Sequence, residues 1–156
     1  MTIIQDHLDG NHCYGCGKEN AHGMQIKSHW DGEVSICTYE PGPEQCAGPT
    51  TVVYGGLIAS LVDCHSVGTA LAYFYQREGR DIGTAPELWC VTARLTVNYR
   101  KPTPMGQPIA LHARIVDSSE RKAIVETIVT SGADVVAEGE TVAVLVPDGW
   151  RDDQAG

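Results

Sequence analysis

The stretch Thr51–His65, TVVYGGLIASLVDCH, decides how the rest of the chain is read. A Tyr-Gly-Gly turn leads into an apolar run in which Leu57, Ile58, Leu61 and Val62, then Leu71 and Phe74, fall at helix-compatible spacing. Small residues such as Ala59, Ser60, Gly68 and Ala70 fill the other sides. The pattern predicts a helix over 55–77, with Gly79 as its C-cap. A helix that is apolar on most sides is a buried one, wrapped by other elements. Asp63 conflicts with that environment. A carboxylate flanked by Leu61, Val62 and Cys64 loses hydration, which is costly unless the group is paired or used.

Gly55 and Gly56 open the same helix. Paired glycines let another molecule approach bare N–H groups closely. First-turn N–H groups have no intrahelical acceptor and sit at the positive end of the helix dipole, where a developing oxyanion is stabilised. Gly55 is thus a candidate oxyanion donor and Asp63 a candidate acid–base group. Eight residues of helix rise about 12 Å and turn the second position by roughly 80°. One carbonyl cannot lie about 3 Å from both groups of one chain. The spacing therefore predicts a dimer in which two antiparallel helices share each site across a two-fold axis. His65 and Asp63 point to different sides of the helix and form no dyad, and Cys64 beside His65 forms none either. His65 is read as a packed histidine or a group at the binding interface.

Outward from the helix, residues 1–22 read as an irregular polar segment. Residues 23–40 read as two short strands joined at Asp31-Gly32, and the proline-rich 41–51 as a loop. After a loop at 80–87 come four strand-like runs, 88–102, 107–119, 121–132 and 135–147. The last two connections are short, which makes their strands antiparallel neighbours. No βαβ alternation is present, which argues against a Rossmann-type fold. The expected architecture is α+β: one long central helix wrapped by a five- to six-stranded antiparallel sheet over 23–147, followed by a flexible tail at 148–156.

The net charge of −9 argues against a nucleic acid or an anionic membrane as the main partner. The N-terminus lacks a signal-peptide pattern, and no apolar run is read as long enough to cross a bilayer. A cytoplasmic location with free thiols is expected for the six cysteines. Cys13 and Cys16 have zinc-knuckle spacing, with His12 and His22 nearby, but no second pair follows. Half a site predicts a small packed knuckle and no metal. Arg100-Lys101 suits a phosphate, although such a pair is more often a solvated surface charge. Phosphate-binding glycine motifs, the nucleophile elbow and the helical zinc motif are absent from the sequence.

Three segments in order, CYGCGKENAHGMQI (13–26), YGGLIASLVD (54–63) and NYRKPTPMG (98–106), resemble the hotdog-fold acyl-CoA thioesterases of the PaaI-like group. The resemblance implies a hotdog fold and a homodimer or dimer of dimers with interfacial sites. It implies that the Gly55 N–H polarises the thioester carbonyl and that Asp63 of the other subunit is the base or nucleophile. Thr92, ten residues before Pro102, would position water. Tyr54, Gly56, Leu57, Ile58, Leu61, His65, Arg100 and Lys101 would contact an acyl-CoA, with coenzyme A as part of the substrate and no separate cofactor. The family's usual His before Gly-Gly is Tyr54 here, and this departure favours the alternative of a non-catalytic module binding acyl-CoA or acyl carrier protein.

Overall fold

The predicted helix forms as α1, Gly55–Arg77, and the sheet forms around it in the computed structural model, which describes residues 1–154. Its strands are β1 (Thr2–Ile3), β2 (Ser28–Trp30), β3 (Val34–Tyr39), β4 (Cys90–Tyr99), β5 (Ile109–Ser118), β6 (Lys122–Ser131) and β7 (Asp134–Leu145). They lie in the order β1-β2-β3-β5-β6-β7-β4, and every neighbouring pair is antiparallel. This is the hotdog arrangement, a sheet curled around one helix.

Local chemistry explains the turns. Gly79 stops α1 at φ +67, and Arg80 N–H donates to Tyr75 O at 3.0 Å. Between β2 and β3 the Asp31 carboxylate accepts the N–H groups of Glu33 and Val34, each at 2.8 Å. Gly32 there takes φ +104. The C-terminal half of α1 buries Phe74 and Tyr75 completely, and its N-terminal half buries Leu57 and Leu61. Each such side chain contributes about 1.5–3 kcal/mol.

Three expectations change. The sheet has a seventh strand, because residues 1–22 are not simply irregular: Thr2 and Ile3 pair with Trp30 and His29. Ile4 and Leu8 then enter the core. Second, α1 is long and apolar enough to cross a bilayer, against the sequence reading. Its most apolar window is 72% buried inside the fold, so its hydrophobicity serves the core. Third, the tail begins with a short helix, α2 (Trp150–Gln154), where a flexible segment is expected. Arg151 stacks 3.9 Å from the Trp89 ring and pairs with Glu87 at 2.8 Å. The last two residues of the expected tail, 155–156, lie outside the described residues.

Close contact between α1 and the sheet depends on Gly139 in β7. A Cβ there would lie 2.3 Å from Val62 Cγ1 of the helix. Val62 is branched and fully buried, so it has no free volume to move into. Gly139→Ala is expected to cost about 1–3 kcal/mol in urea unfolding, a typical overpacking penalty. An unchanged midpoint would show that the helix can back away.

β4 is the sheet's outer strand. It pairs with β7 along one side only, leaving a ten-residue edge free among the described residues. A bulge at Ala93 interrupts the register between Thr92 and Arg94. The extra residue shifts the alternation: Cys90 and Thr92 face the helix before it, Leu95, Val97 and Tyr99 after it. This phase shift positions the candidate site.

Candidate active site

The bulged strand touches α1 at the two positions singled out by the sequence. Thr92 Oγ1 donates to Asp63 Oδ1 at 2.5 Å, and Tyr99 Oη donates to Gly55 O at 2.6 Å. Asp63 is half-buried, so its carboxylate reaches solvent although its helix is core. The acid of the buried helix is thus both paired, by the Thr92 hydroxyl, and accessible.

At the helix start, Gly55 N–H has no hydrogen-bond acceptor among the described residues. The next glycine has a steric reason: a Cβ on Gly56 would meet the Tyr54 ring at 2.4 Å. Tyr54 lies over that turn and remains 57% exposed. Partial burial, and then the neighbouring Tyr54, hold the Tyr99 phenol above the usual tyrosine range.

The middle and the N-terminal end of α1 open into different cavities. One, of about 250 Å³ and mostly apolar, is lined by Asp63, Cys64, Thr92, Trp89, Cys13 and Cys16, among others. The other, about 450 Å³, is lined by Gly55, Ile58, Tyr99, Arg100 and Lys101, among others. They share no residue. Within one chain, the candidate oxyanion donor and the candidate base serve separate spaces, as the helix spacing requires.

The model of the thioesterase superfamily matches residues 50–138, which span the Gly-Gly turn, α1, the bulged strand, β5, β6 and the start of β7. The chain belongs to the thioesterase superfamily. A thioesterase superfamily protein of Shewanella loihica PV-4 is 37% identical, with TM-score 0.62, over 83% of this chain and 97% of that one. The E. coli PaaI protein from the phenylacetic acid degradation operon shares the fold: TM-score 0.65 over 80% of this chain and 82% of that one, at 13% identity. The Xenopus laevis acyl-coenzyme A thioesterase THEM4 is 25% identical over 111 residues. That match covers 71% of this chain but only 44% of the relative, so the chain spans less than half of that protein.

The residues expected to contact substrate lie in different surroundings in this thioesterase-superfamily chain. Leu57 and Leu61 are interior and line neither cavity; of the three proposed wall residues only Ile58 does. Arg100 and Lys101 line the Gly55 cleft but are tied to Glu138 at 2.6 Å and Asp134 at 2.8 Å. His65 fits the packed-histidine reading and not a substrate contact. It is fully buried, with Nδ1 2.8 Å from Ser28 Oγ and Nε2 3.2 Å from Ser35 O, so it faces β2 and β3 and not a ligand.

Burial is the main cause that pushes the His65 imidazole down to about 4, with a lesser push from His112 against a raising bond to Ser35. The folded pKa lies below the unfolded value near 6.5, so protonation favours the unfolded chain. Stability is full above pH 6.5 and falls by up to about 1.4 kcal/mol per pH unit between there and pH 4. Urea unfolding at pH 7 and pH 4.5 should show this loss in the wild type and lose that component in His65→Gln. Equal slopes in both proteins would show that another group controls the acid limb.

Two features were missed by sequence reasoning. Tyr99 sits inside the quoted NYRKPTPMG segment, but nothing in its spacing points to Gly55 O. Cys64 lies beside Cys13 and Cys16, with all three sulfurs within 4.8 Å of one another. Fifty-one residues separate Cys64 from Cys13, so no local motif joins them.

Proposed function

We propose that the protein hydrolyses acyl-CoA thioesters at a site shared by two copies of the chain. The observation that carries this reading is the Thr92–Asp63 hydrogen bond at a mostly apolar cavity. In the proposed reaction the thioester carbonyl of the substrate rests on Gly55 N–H of one protomer. Asp63 of the other takes a proton from water as the water attacks the carbonyl carbon. Thr92, already donating to one carboxylate oxygen, fixes the carboxylate so that its remaining lone pairs face the water. Negative charge develops on the carbonyl oxygen and is stabilised by the N-terminal dipole of α1. Collapse breaks the carbon–sulfur bond and leaves the carboxylic acid, and the departing coenzyme A thiolate takes the proton back from Asp63 to leave as the thiol.

The free β4 edge supports the second copy. Ten residues of unpaired strand are a template for another strand, and a two-fold partner pairing there would cover them. The same strand carries both Thr92 and Tyr99, so such a partner would lie next to both halves of the site. The name of the Xenopus relative supports acyl-CoA as the substrate class. The reaction needs no cofactor beyond the coenzyme A of the substrate. It is tested by coenzyme A release from a panel of acyl-CoA thioesters, read with a thiol reagent, in wild type and Asp63→Asn. Binding without turnover in the wild type would instead favour the non-catalytic module.

A further inference from the structure

Beyond the proposed active site, the most concentrated chemistry lies where the N-terminal loop meets α1. Cys13 and Cys16 come from the loop and Cys64 from the rigid helix, and their three sulfurs converge within 4.8 Å. We infer that these three cysteines bind one soft divalent cation of the zinc class.

The distances fit. Thiolates held tetrahedrally at about 2.3 Å from zinc lie about 3.8 Å from each other. Cys13 Sγ and Cys64 Sγ are 3.8 Å apart. The loop is also folded as a tight turn around its two cysteines. Gly17 N–H closes the turn on Cys13 O at 2.8 Å. Asn11 braces it from outside: Oδ1 accepts Cys13 N–H at 3.0 Å, and Nδ2 approaches Cys16 Sγ at 3.8 Å. Such outer partners orient ligands and tune a metal.

The glycines of the CYGCG segment fit the same purpose. A Cβ on Gly15 would lie 2.3 Å from Cys64 Sγ, and one on Gly17 would lie 2.4 Å from Cys13 N. Both positions must be bare for the loop to bring its sulfurs to the helix. Three adjacent protonated thiols satisfy one another poorly, since S–H is a weak donor and S a weak acceptor. A divalent cation replaces the thiol protons, which leave to solvent, and gives all three sulfurs a strong partner. By contrast Cys37 and Cys90 are isolated core thiols, each pushed up to about 12 by burial.

A tetrahedral ion would have one position left, and the adjoining cavity of about 250 Å³ has room for water there. The inference does not depend on the proposed hydrolysis, since a structural ion would pin the loop whatever the cavity binds.

The test uses the whole chain, reduced and exchanged into zinc alone, followed by removal of free metal and metal analysis. Wild type and the control Cys46→Ser are expected to retain about one zinc per chain. Cys13→Ser and Cys16→Ser, checked for folding by circular dichroism, are expected to retain roughly tenfold less. Cobalt in place of zinc should give thiolate-to-metal charge-transfer absorption in wild type but not in Cys13→Ser/Cys16→Ser. A chelator should lower the wild-type melting temperature by several degrees. Wild type that retains no more zinc than the double variant would overturn the site. So would a protein that carries a Cys13–Cys64 disulfide and takes up zinc neither before nor after reduction.

Discussion

Replacing Asp63 by Asn is expected to lower kcat/KM for acyl-CoA hydrolysis by about 10²–10⁴-fold, the contribution of a positioned acid–base group. The substitution is nearly isosteric, and the Asn oxygen still accepts the Thr92 hydroxyl that now bonds Asp63 Oδ1. What disappears is basicity. Because Asp63 is half-buried and no charged partner is attached to it among the described hydrogen bonds, the fold loses little. Thermal melting should therefore stay within a few degrees of wild type while the initial rate collapses. Wild-type rates in Asp63→Asn would remove the carboxylate from the chemistry and leave the binding module as the better reading.

The second large effect is expected at Gly55. Proline there removes the N–H that would face the thioester oxygen, and loss of one oxyanion donor costs about 10²–10³ in kcat. The position is unusually tolerant of this probe. Gly55 is the first helical residue, where proline is favoured and no intrahelical bond is lost. Tyr54 before it is already extended at ψ 127, as a residue preceding proline must be. Gly55→Ala is the control, since it keeps the N–H. Its added Cβ would meet Tyr99 at 3.6 Å, an ordinary contact. Initial rates should fall in Gly55→Pro and hold within roughly tenfold in Gly55→Ala. Equal losses in both would point to crowding in the cleft, not to the missing donor.

The helix and hairpin were legible because their signals are local. Apolar spacing and Gly79 bound α1, and Asp31-Gly32 supplies its own turn. The N-terminal strand was not legible, since the short Ile3-Ile4 pair and Leu8 sit in a polar segment and gain meaning only against Trp30 and α1. The bulge at Ala93 was hidden because strict alternation assumes no inserted residue, and the insertion changes which β4 side chains face the helix. Asp63 and Gly55 were singled out as candidates from cost and geometry: a carboxylate in an apolar run, and bare amides at a helix start. His65 looked like their neighbour in sequence. Its partners, Ser28 and Ser35, come from distant strands that no single-sequence spacing connects to it. The cysteine cluster failed to appear for the same reason, since its third sulfur arrives through the fold.

The central claim is that each site takes Gly55 from one chain and Asp63 from another, and mixing the two inactive variants tests it most directly. Gly55→Pro and Asp63→Asn carrying different affinity tags are unfolded together, refolded, and the doubly tagged species isolated. Each mixed dimer would then hold one site with both defects and one with neither. The account predicts that this species recovers about half of the wild-type dimer's activity, although each parent is nearly inactive. Mixed dimers no more active than the parents would show that both residues must act within one chain, and would contradict the account.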